Sequence, residues 1–465
     1  MRFYHFVFLV FAFIINCSLC EASMVFVSSS QGDDNNSGLT QNDPLKTIVK
    51  ALTVADTVLL KSGDIFYENI TIRKGLVSKY GDKKNPVVCG YKKIIVPRWE
   101  KVGDNLWKIS LVDGNYNGFD TQGPSMNNNI GCLHEYDIDV IHGRKVKFKK
   151  DLKEDWDIWQ TEHHTKDETL AHDFDTLYLY LHDNPNRLQL EFSSGATACV
   201  ISNATIDGIR FEGYGFGISA GTNTTIRNCE VDAIGGRTSI GDGYVCYGNG
   251  IEFWISKGMK DCCVENCKIS RCYDAGCTIQ GRVDSPRNIV FRNNVIVDCC
   301  QAWEDFLTNE DAGMMYIDCV FENNIVVNSG NTSGFGYAKG RSKYCHVLGN
   351  NYLGNRRMIF RNNTFIGGNY LCAAKFDGAF KSNIWENNIC YIRRGEWLLR
   401  CINKGDDWII VPMEKGTFET LDVATEDAIS RYRELTGDNS TIFVILKDKK
   451  MDRRINKLKK KYSRK

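Results

Sequence analysis

Proline is scarce in this chain of 465 residues: there are seven, against 41 glycines. That balance suits many short strands joined by tight turns. An excess charge of one sign is also missing. Lys and Arg number 58, Asp and Glu 57, and the net charge of +1 gives no global field that would draw nucleic acid to the surface. After the first two dozen residues no apolar run is long enough to cross a bilayer as a helix, so no integral membrane span is expected. Cysteine is plentiful, at nineteen, but no CxxC pair stands in zinc-ribbon spacing. Cys262-Cys263 and Cys299-Cys300 are adjacent pairs, which make poor chelators and strained disulfides. A metal site on cysteine is therefore not expected.

The first residues, "MRFYHFVFLVFAFIINCSLCEAS", read as a signal peptide over residues 1–22. Arg2 supplies the positive start, Phe6 to Ile15 form a short apolar run, and a small residue precedes Ser23. The expectation is an exported protein: secreted, periplasmic or at the cell surface. Cys17 or Cys20 would carry a lipid anchor, although neither follows a small residue of the kind such an anchor wants. Cleavage leaves seventeen cysteines, an odd number, and many stand in strand-like apolar runs, such as Cys199, Cys229, Cys267, Cys277, Cys319 and Cys390. There a thiol behaves as a small buried hydrophobe. Mostly free core thiols are expected, with few bridges.

With 43% hydrophobic residues the chain can bury a large core, either as two or three ordinary domains or as one repetitive one. Repetition decides between them. "IRNCEV", "VENCKI", "FRNNVI", "FENNIV", "FRNNTF" and "WENNIC" share an asparagine, at Asn228, Asn266, Asn293, Asn323, Asn362 and Asn387. The separations are 38, 27, 30, 39 and 25 residues, the mark of a solenoid with variable inserts. Short β-branched strands of alternating polarity then predict an all-β chain, a right-handed parallel β-helix. Equivalent residues stack coil on coil at about 4.8 Å. Those six asparagines are expected to form a ladder in which each side-chain amide donates to its neighbour's carbonyl.

Near the start, Asp43 and Pro44 are expected to cap a helix whose Ile48, Ala51, Leu52 and Ala55 share one face and cover the open end of the first coil. The stretch "FVSSSQGDDNNSGLTQNDPLKTI" followed by "DTVLLKSGDIFYENITI" resembles secreted right-handed parallel β-helix proteins of the pectate-lyase-like superfamily. "YGNGIEFW…VENCKI…YDAGCTIQG" is similar to bacterial carbohydrate-active β-helix proteins. The resemblance runs from Val25 to about Arg400 with one interruption. It implies a glycan substrate but not a reaction, because the superfamily holds lyases, hydrolases, epimerases and non-catalytic adhesins. The expected division is a leader over 1–22, a cap and first coils over 23–98, a β-rich insertion over 99–192, the main solenoid over 193–400 and a C-terminal segment over 401–465. In the insertion, His163, His164 and His172 read as surface residues rather than metal ligands. The basic tail "KDKKMDRRINKLKKKYSRK" reads as a solvated, frayed terminus, with attraction to an acidic polysaccharide or a membrane surface as the rival.

Two acids stand out. In "GNGIEFWI", Ile251, Phe253 and Ile255 alternate with Glu252 and Trp254, which should point outward together as a carboxyl beside a sugar-stacking indole. Asp274, 22 residues on, should lie one rung away, with Thr278 and Gln280 outward. In the next coil, "QAWEDF", alternation puts Trp303 and Asp305 outward; a bulge would exchange Asp305 for Glu304, so both are candidates. Arg237, Arg282, Tyr337, Lys339, Arg341 and His346 fall in nearby loops, and Trp254, Trp303, Gln280, Arg282, Tyr337, Arg341 and His346 are the candidate substrate contacts. Crowded carboxyls raise one pKa and so prepare a proton donor beside an ionised partner.

A glycoside hydrolase acting on a polysaccharide or oligosaccharide, as a monomer and without a required cofactor, is the leading expectation. The rivals are two. A polysaccharide lyase would use the acids to hold Ca²⁺ against a uronate, with Arg282, Arg341, Lys339 or Tyr337 taking the α-proton. A non-catalytic glycan-binding solenoid would repeat its aromatic ladder over many coils, whereas the pairing of Trp with acid is confined to about three.

Overall fold

The structure is a computed structural model that describes residues 24–462 except 94–97, 113–127, 147, 165–169, 239–245, 282, 308–313, 331–334, 338–344, 350–356, 369–370, 375–381, 394–397, 403–407 and 410–420. The expected leader, with Cys17 and Cys20, lies outside the described residues, as do Arg282, Lys339 and Arg341 and the side chains of Tyr337, His163, His164 and His172.

The chain winds as a parallel β-helix whose described residues form three ten-stranded sheets. One coil shows the plan: Lys260–Glu265 in the first sheet, Lys268–Cys272 in the second and Ala275–Gly281 in the third. Strands pair in parallel with their equivalents one coil away, as Ile226 with Val264 and Val264 with Phe291, except that Trp408–Ile409 pairs antiparallel at the end of the third sheet. Inward residues form one continuous core. On the first sheet Phe291, Phe321, Phe360 and Trp385 stack along it, with ring centroids 6.4, 5.8 and 4.7 Å apart.

The six shared asparagines do not form the expected ladder. All have positive φ, between 53° and 57°, and turn the chain at the corner between the first and second sheets, a conformation asparagine tolerates better than most residues. The ladder is made one residue later. Asn294, Asn324, Asn363 and Asn388 are buried, and each Oδ1 accepts the backbone N–H of the equivalent residue one coil back, Cys267, Asn294, Asn324 and Asn363, at 2.9–3.0 Å. Each Nδ2 donates to a carbonyl, of Val264, Phe291, Phe321 or Phe360, at 2.8–3.0 Å. The left-handed residue reverses the corner, so the one after it points in. In earlier coils Cys229 and Cys267 fill that inward place, and their thiols donate to carbonyls. The cysteines whose side chains are described are free thiols, all but Cys263 buried.

Helix Ile48–Val54 packs Ile48 and Ala51 into the core beside the first strands. Its cap is Thr47, whose Oγ1 accepts the Lys50 N–H at 3.2 Å; Asp43 instead accepts from the Ser37 hydroxyl and N–H in the preceding loop. At the other end, strand Ile442–Leu446 extends the second sheet. The tail is no frayed terminus: Asp448–Tyr462 is a helix that buries Met451 and Ile455 against Val297, Val327 and Ile366.

Long excursions leave from the corner between the second and third sheets. Among the described residues the largest carries eight strands of a nine-stranded sheet, mostly antiparallel, with its own core around Trp107, Leu133, Ile158, Leu177 and Phe192. Its strand Val140–Lys145 also pairs with Phe335–Tyr337, from a later excursion at the same corner. This insertion sits hard against the solenoid. A Cβ at Gly131 would lie 2.4 Å from the Gly236 carbonyl oxygen, and one at Gly235 would lie 2.7 Å from the Gly131 carbonyl carbon, so only glycine permits the approach. The Lys145 ammonium donates to the Gly131 and Gly235 carbonyls and lies 4.4 Å from the Tyr273 ring centroid. Nearby, Arg271 on the solenoid pairs with Asp232 at 2.6 Å and reaches Asp139 of the insertion at 3.5 Å.

Candidate active site

The third sheet carries the acids. In Ile251–Trp254, Ile251 and Phe253 lie in the core, so Glu252 and Trp254 face outward. Glu252 pairs across the ladder with Thr278, and Thr278 with Glu304, so the two glutamates are two rungs apart on one outward row. Two rungs of about 4.8 Å separate their backbones by about 10 Å. Trp254 is half exposed and pairs with Gln280 on the next outward row. Asp274 is not the rung neighbour of Glu252 that the 22-residue spacing suggested, because the coil repeats at 26 residues and puts Thr278 there. Asp274 sits instead in the short corner just before Ala275–Gly281, and its N–H donates to the Gly248 carbonyl at 3.2 Å.

An amide fixes each carboxyl. The Asn249 Nδ2 donates to Glu252 Oε2 at 2.7 Å, while Asn249 Oδ1 accepts the Ala275 N–H at 3.0 Å, tying the two coils together. Gln301 Nε2 donates to Asp274 Oδ1 at 2.7 Å, and Gln280 Nε2 to Glu304 Oε2 at 3.0 Å. Glu252 is only 8% exposed, and that burial, reinforced by the charge of Asp274, pushes its carboxyl up to about 7; the Asn249 amide and the Arg237 guanidinium oppose the shift. Arg237 is itself held below the usual range by burial, lies 5.3 Å from the Phe216 ring centroid and donates to the Gly195 carbonyl at 3.3 Å.

Three orientations differ from expectation. A bulge sits at the start of Gln301–Leu307, where the N–H groups of Ala302 and Trp303 both donate to the His346 carbonyl at 3.0 Å. Ala302 and Trp303 therefore both enter the core, and the alternation reverses. Trp303 is fully buried between Phe291, Phe321 and Phe360, with centroids at 5.0, 5.5 and 6.0 Å, and offers no sugar platform. Asp305 points inward, fully buried, and accepts from Asn383 Nδ2 at 2.9 Å, leaving Glu304 as the outward acid of that coil. His346 is also buried, against Phe365, with its Nδ1 3.0 Å from the Ser329 hydroxyl and its pKa lowered by burial to about 4; it is a packing residue. Gln280 is 8% exposed and serves Glu304.

Sequence reasoning missed the amide partners. The glycines flanking Asn249 were a signal, since a Cβ at Gly250 would lie 2.6 Å from the Gly276 carbonyl oxygen and no larger residue fits there. Gln301 and Asn383 carry no comparable mark. Among the described residues no three of His, Cys, Asp and Glu converge in a way that would hold a metal ion. No helix among them is long and apolar enough to cross a membrane.

No protein-family model matches the chain, and no curated protein matches it. Solved structures do. A structure of XylC with xylose matches with a TM-score of 0.47 and 14% identity over 81% of this chain and 70% of that one. A glycoside hydrolase gives 0.45 and 11% over 82% and 95%, and an alginate lyase from Paenibacillus sp. str. FPU-7 gives 0.40 and 11% over 77% and 88%. Likenesses of this size carry no argument about the reaction, which has to come from the site.

Proposed function

We propose that the chain is a secreted glycan-cleaving enzyme, a glycoside hydrolase acting on a polysaccharide or oligosaccharide. The observation that carries this reading is Glu252: an outward carboxyl held near neutrality by burial and by Asp274, two residues from an exposed indole. A carboxyl near pH 7 is still largely protonated in mildly acidic to neutral solution and gives its proton to a leaving glycosidic oxygen. Asp274, in the next coil at the corner before Ala275 and hydrogen-bonded by Gln301, is the partner carboxyl that meets the sugar or its attacking water. Glu304 stands ready on the far side of Thr278. Trp254 offers a flat apolar face for a pyranose ring. Hydrolysis by carboxyls requires no cofactor.

A second reading rests on Arg237. A mostly buried guanidinium beside an acid is suited to holding a uronate carboxylate, the contact a lyase needs, with Ca²⁺ as an added requirement. One assay separates the two. Purified protein is incubated with acidic and neutral polysaccharides, and reducing ends and unsaturated-uronate absorbance are followed together, with and without EDTA. Reducing ends without absorbance, lost in Glu252→Gln, support hydrolysis. Absorbance rising in step overturns it, and EDTA sensitivity assigns the acids to calcium. Full activity in both Glu252→Gln and Asp274→Asn would dismiss the site.

A further inference from the structure

Helix Asp448–Tyr462 holds eight basic residues against two acidic ones, a net +6. Its apolar side is spent: Met451 and Ile455 are buried on Val297, Val327 and Ile366, and Leu458 packs beside them. Its acids are spent as well, since Asp452 meets Arg393 at 2.7 Å and Asp448 meets it at 3.6 Å. At 100° per residue, Lys449, Lys450, Arg453, Lys457 and Lys461 fall within about 120° of the opposite side. All five are exposed. The result is a straight, rigid stripe of one sign on a chain whose net charge is only +1.

The stripe has a direction. Asp452 is anchored at Arg393, whereas Lys459, seven residues on, pairs at 2.7 Å with Asp298 in a coil three rungs back. The helix thus runs back along the solenoid, and its lysine-rich end stops beside the corner that holds Gln301, the partner of Asp274. The geometry points to this stripe as a docking track for a linear anionic polysaccharide, uronate-bearing or sulfated, that leads the chain toward the acidic cleft. Charge complementarity selects a polyanion. A lipid surface is disfavoured because an interfacial helix binds through its apolar face, and here that face is buried on the second sheet. The track's own affinity needs no catalysis; its service to the cleft rests on the hydrolase reading above.

The test uses the full chain with sodium polygalacturonate and sodium alginate, dextran as the neutral polymer, and vesicles of phosphatidylcholine with phosphatidylserine. Both polyanions should bind and dextran should not. By the counterion-release relation for polyanions, four cation contacts make binding weaken about fiftyfold to a hundredfold between about 50 and 200 mM NaCl. The variant K449Q/K450Q/R453Q/K457Q should lose at least about tenfold in affinity and most of the salt dependence, while the all-arginine or all-lysine version at these positions keeps both. Because the four side chains are exposed and Met451 and Ile455 are untouched, circular dichroism should not change. Equal binding by the glutamine variant, equal binding of dextran, or tighter binding to the vesicles than to either polymer would overturn the inference. Glu252→Gln should cleave nothing and still bind, so failure of the cleft and failure of the track give different results.

Discussion

Replacing Glu252 with glutamine should make the protein more stable, and only at the pH where the acid would be charged. In the unfolded chain this carboxyl titrates near 4.5; in the fold it is held at about 7. Between those values the unfolded chain gives up its proton and the folded one keeps it, so rising pH favours unfolding across that window. The gap, at about 1.4 kcal/mol per pH unit, amounts to about 3 kcal/mol once pH exceeds 7. Glutamine has nothing to ionise, and its Oε1 still accepts from Asn249 Nδ2. The loss of a partner for Arg237, which lies in the same corner, offsets part of the gain. Urea unfolding followed by tryptophan fluorescence and by circular dichroism, at pH 5 and at pH 8.5, measures the difference. Glu252→Gln should exceed the parent by less than about 1 kcal/mol at pH 5 and by about 2–3 kcal/mol at pH 8.5. An increment that is the same at both pH values, or a variant less stable at pH 8.5, would refute the burial argument and remove the reason for calling Glu252 the acid.

Cleavage should fall on the alkaline side with a midpoint near pH 7 as Glu252 loses its proton, and a pH–rate profile on any accepted glycan reads that limb. Glu304→Gln should lower turnover, whereas Asp305→Asn should leave kcat within about twofold while shifting the melting temperature, because only Glu304 faces outward. Trp254→Ala should raise KM by about tenfold and change stability by less than about 1 kcal/mol, since the indole is half exposed; isothermal calorimetry with oligosaccharides and a thermal melt check the two parts. Asn324→Ala should destabilise by about 3 kcal/mol because it leaves the Asn294 N–H and the Phe291 carbonyl buried without their partner, and Asn324→Cys should cost less, as Cys267 fills the same place in an earlier coil; urea midpoints rank the three proteins.

The repeat was legible because a solenoid imposes one environment on every coil, so one residue type returns at one place. What the repeat could not tell was which member of each pair points in. "RNN" reads the same whether Asn293 or Asn294 enters the core, and the left-handed turn at Asn293 decides it. The same limit governs the acids. Strict alternation places Glu252 correctly relative to Ile251 and Phe253, because nothing interrupts that strand. It misplaces Trp303 and Asp305 because two successive residues, Ala302 and Trp303, both enter the core where their N–H groups share the His346 carbonyl. The tail misleads for another reason: eight cations mask three apolar residues at helical spacing, Met451, Ile455 and Leu458, and their binding surface lies in strands almost a hundred residues and more upstream. Amides such as Gln301 gain meaning only when coils stack, so no local pattern marks them.

The thiols lining the interior make the molecule its own gauge of opening. Only a thiolate reacts with alkylating agents, and burial pushes Cys132 to about 11 and Cys319 to about 12, so a closed coil stays silent to them. From Cys89 near the first coils to Cys390 near the last, such groups are spaced along the axis, and a coil that separates from its neighbours would be tagged at its own cysteine. Brief alkylation followed by peptide mass mapping would thus show from which end the rod unravels. It would also show whether the coils around Asn249 part before those secured by the asparagine rail.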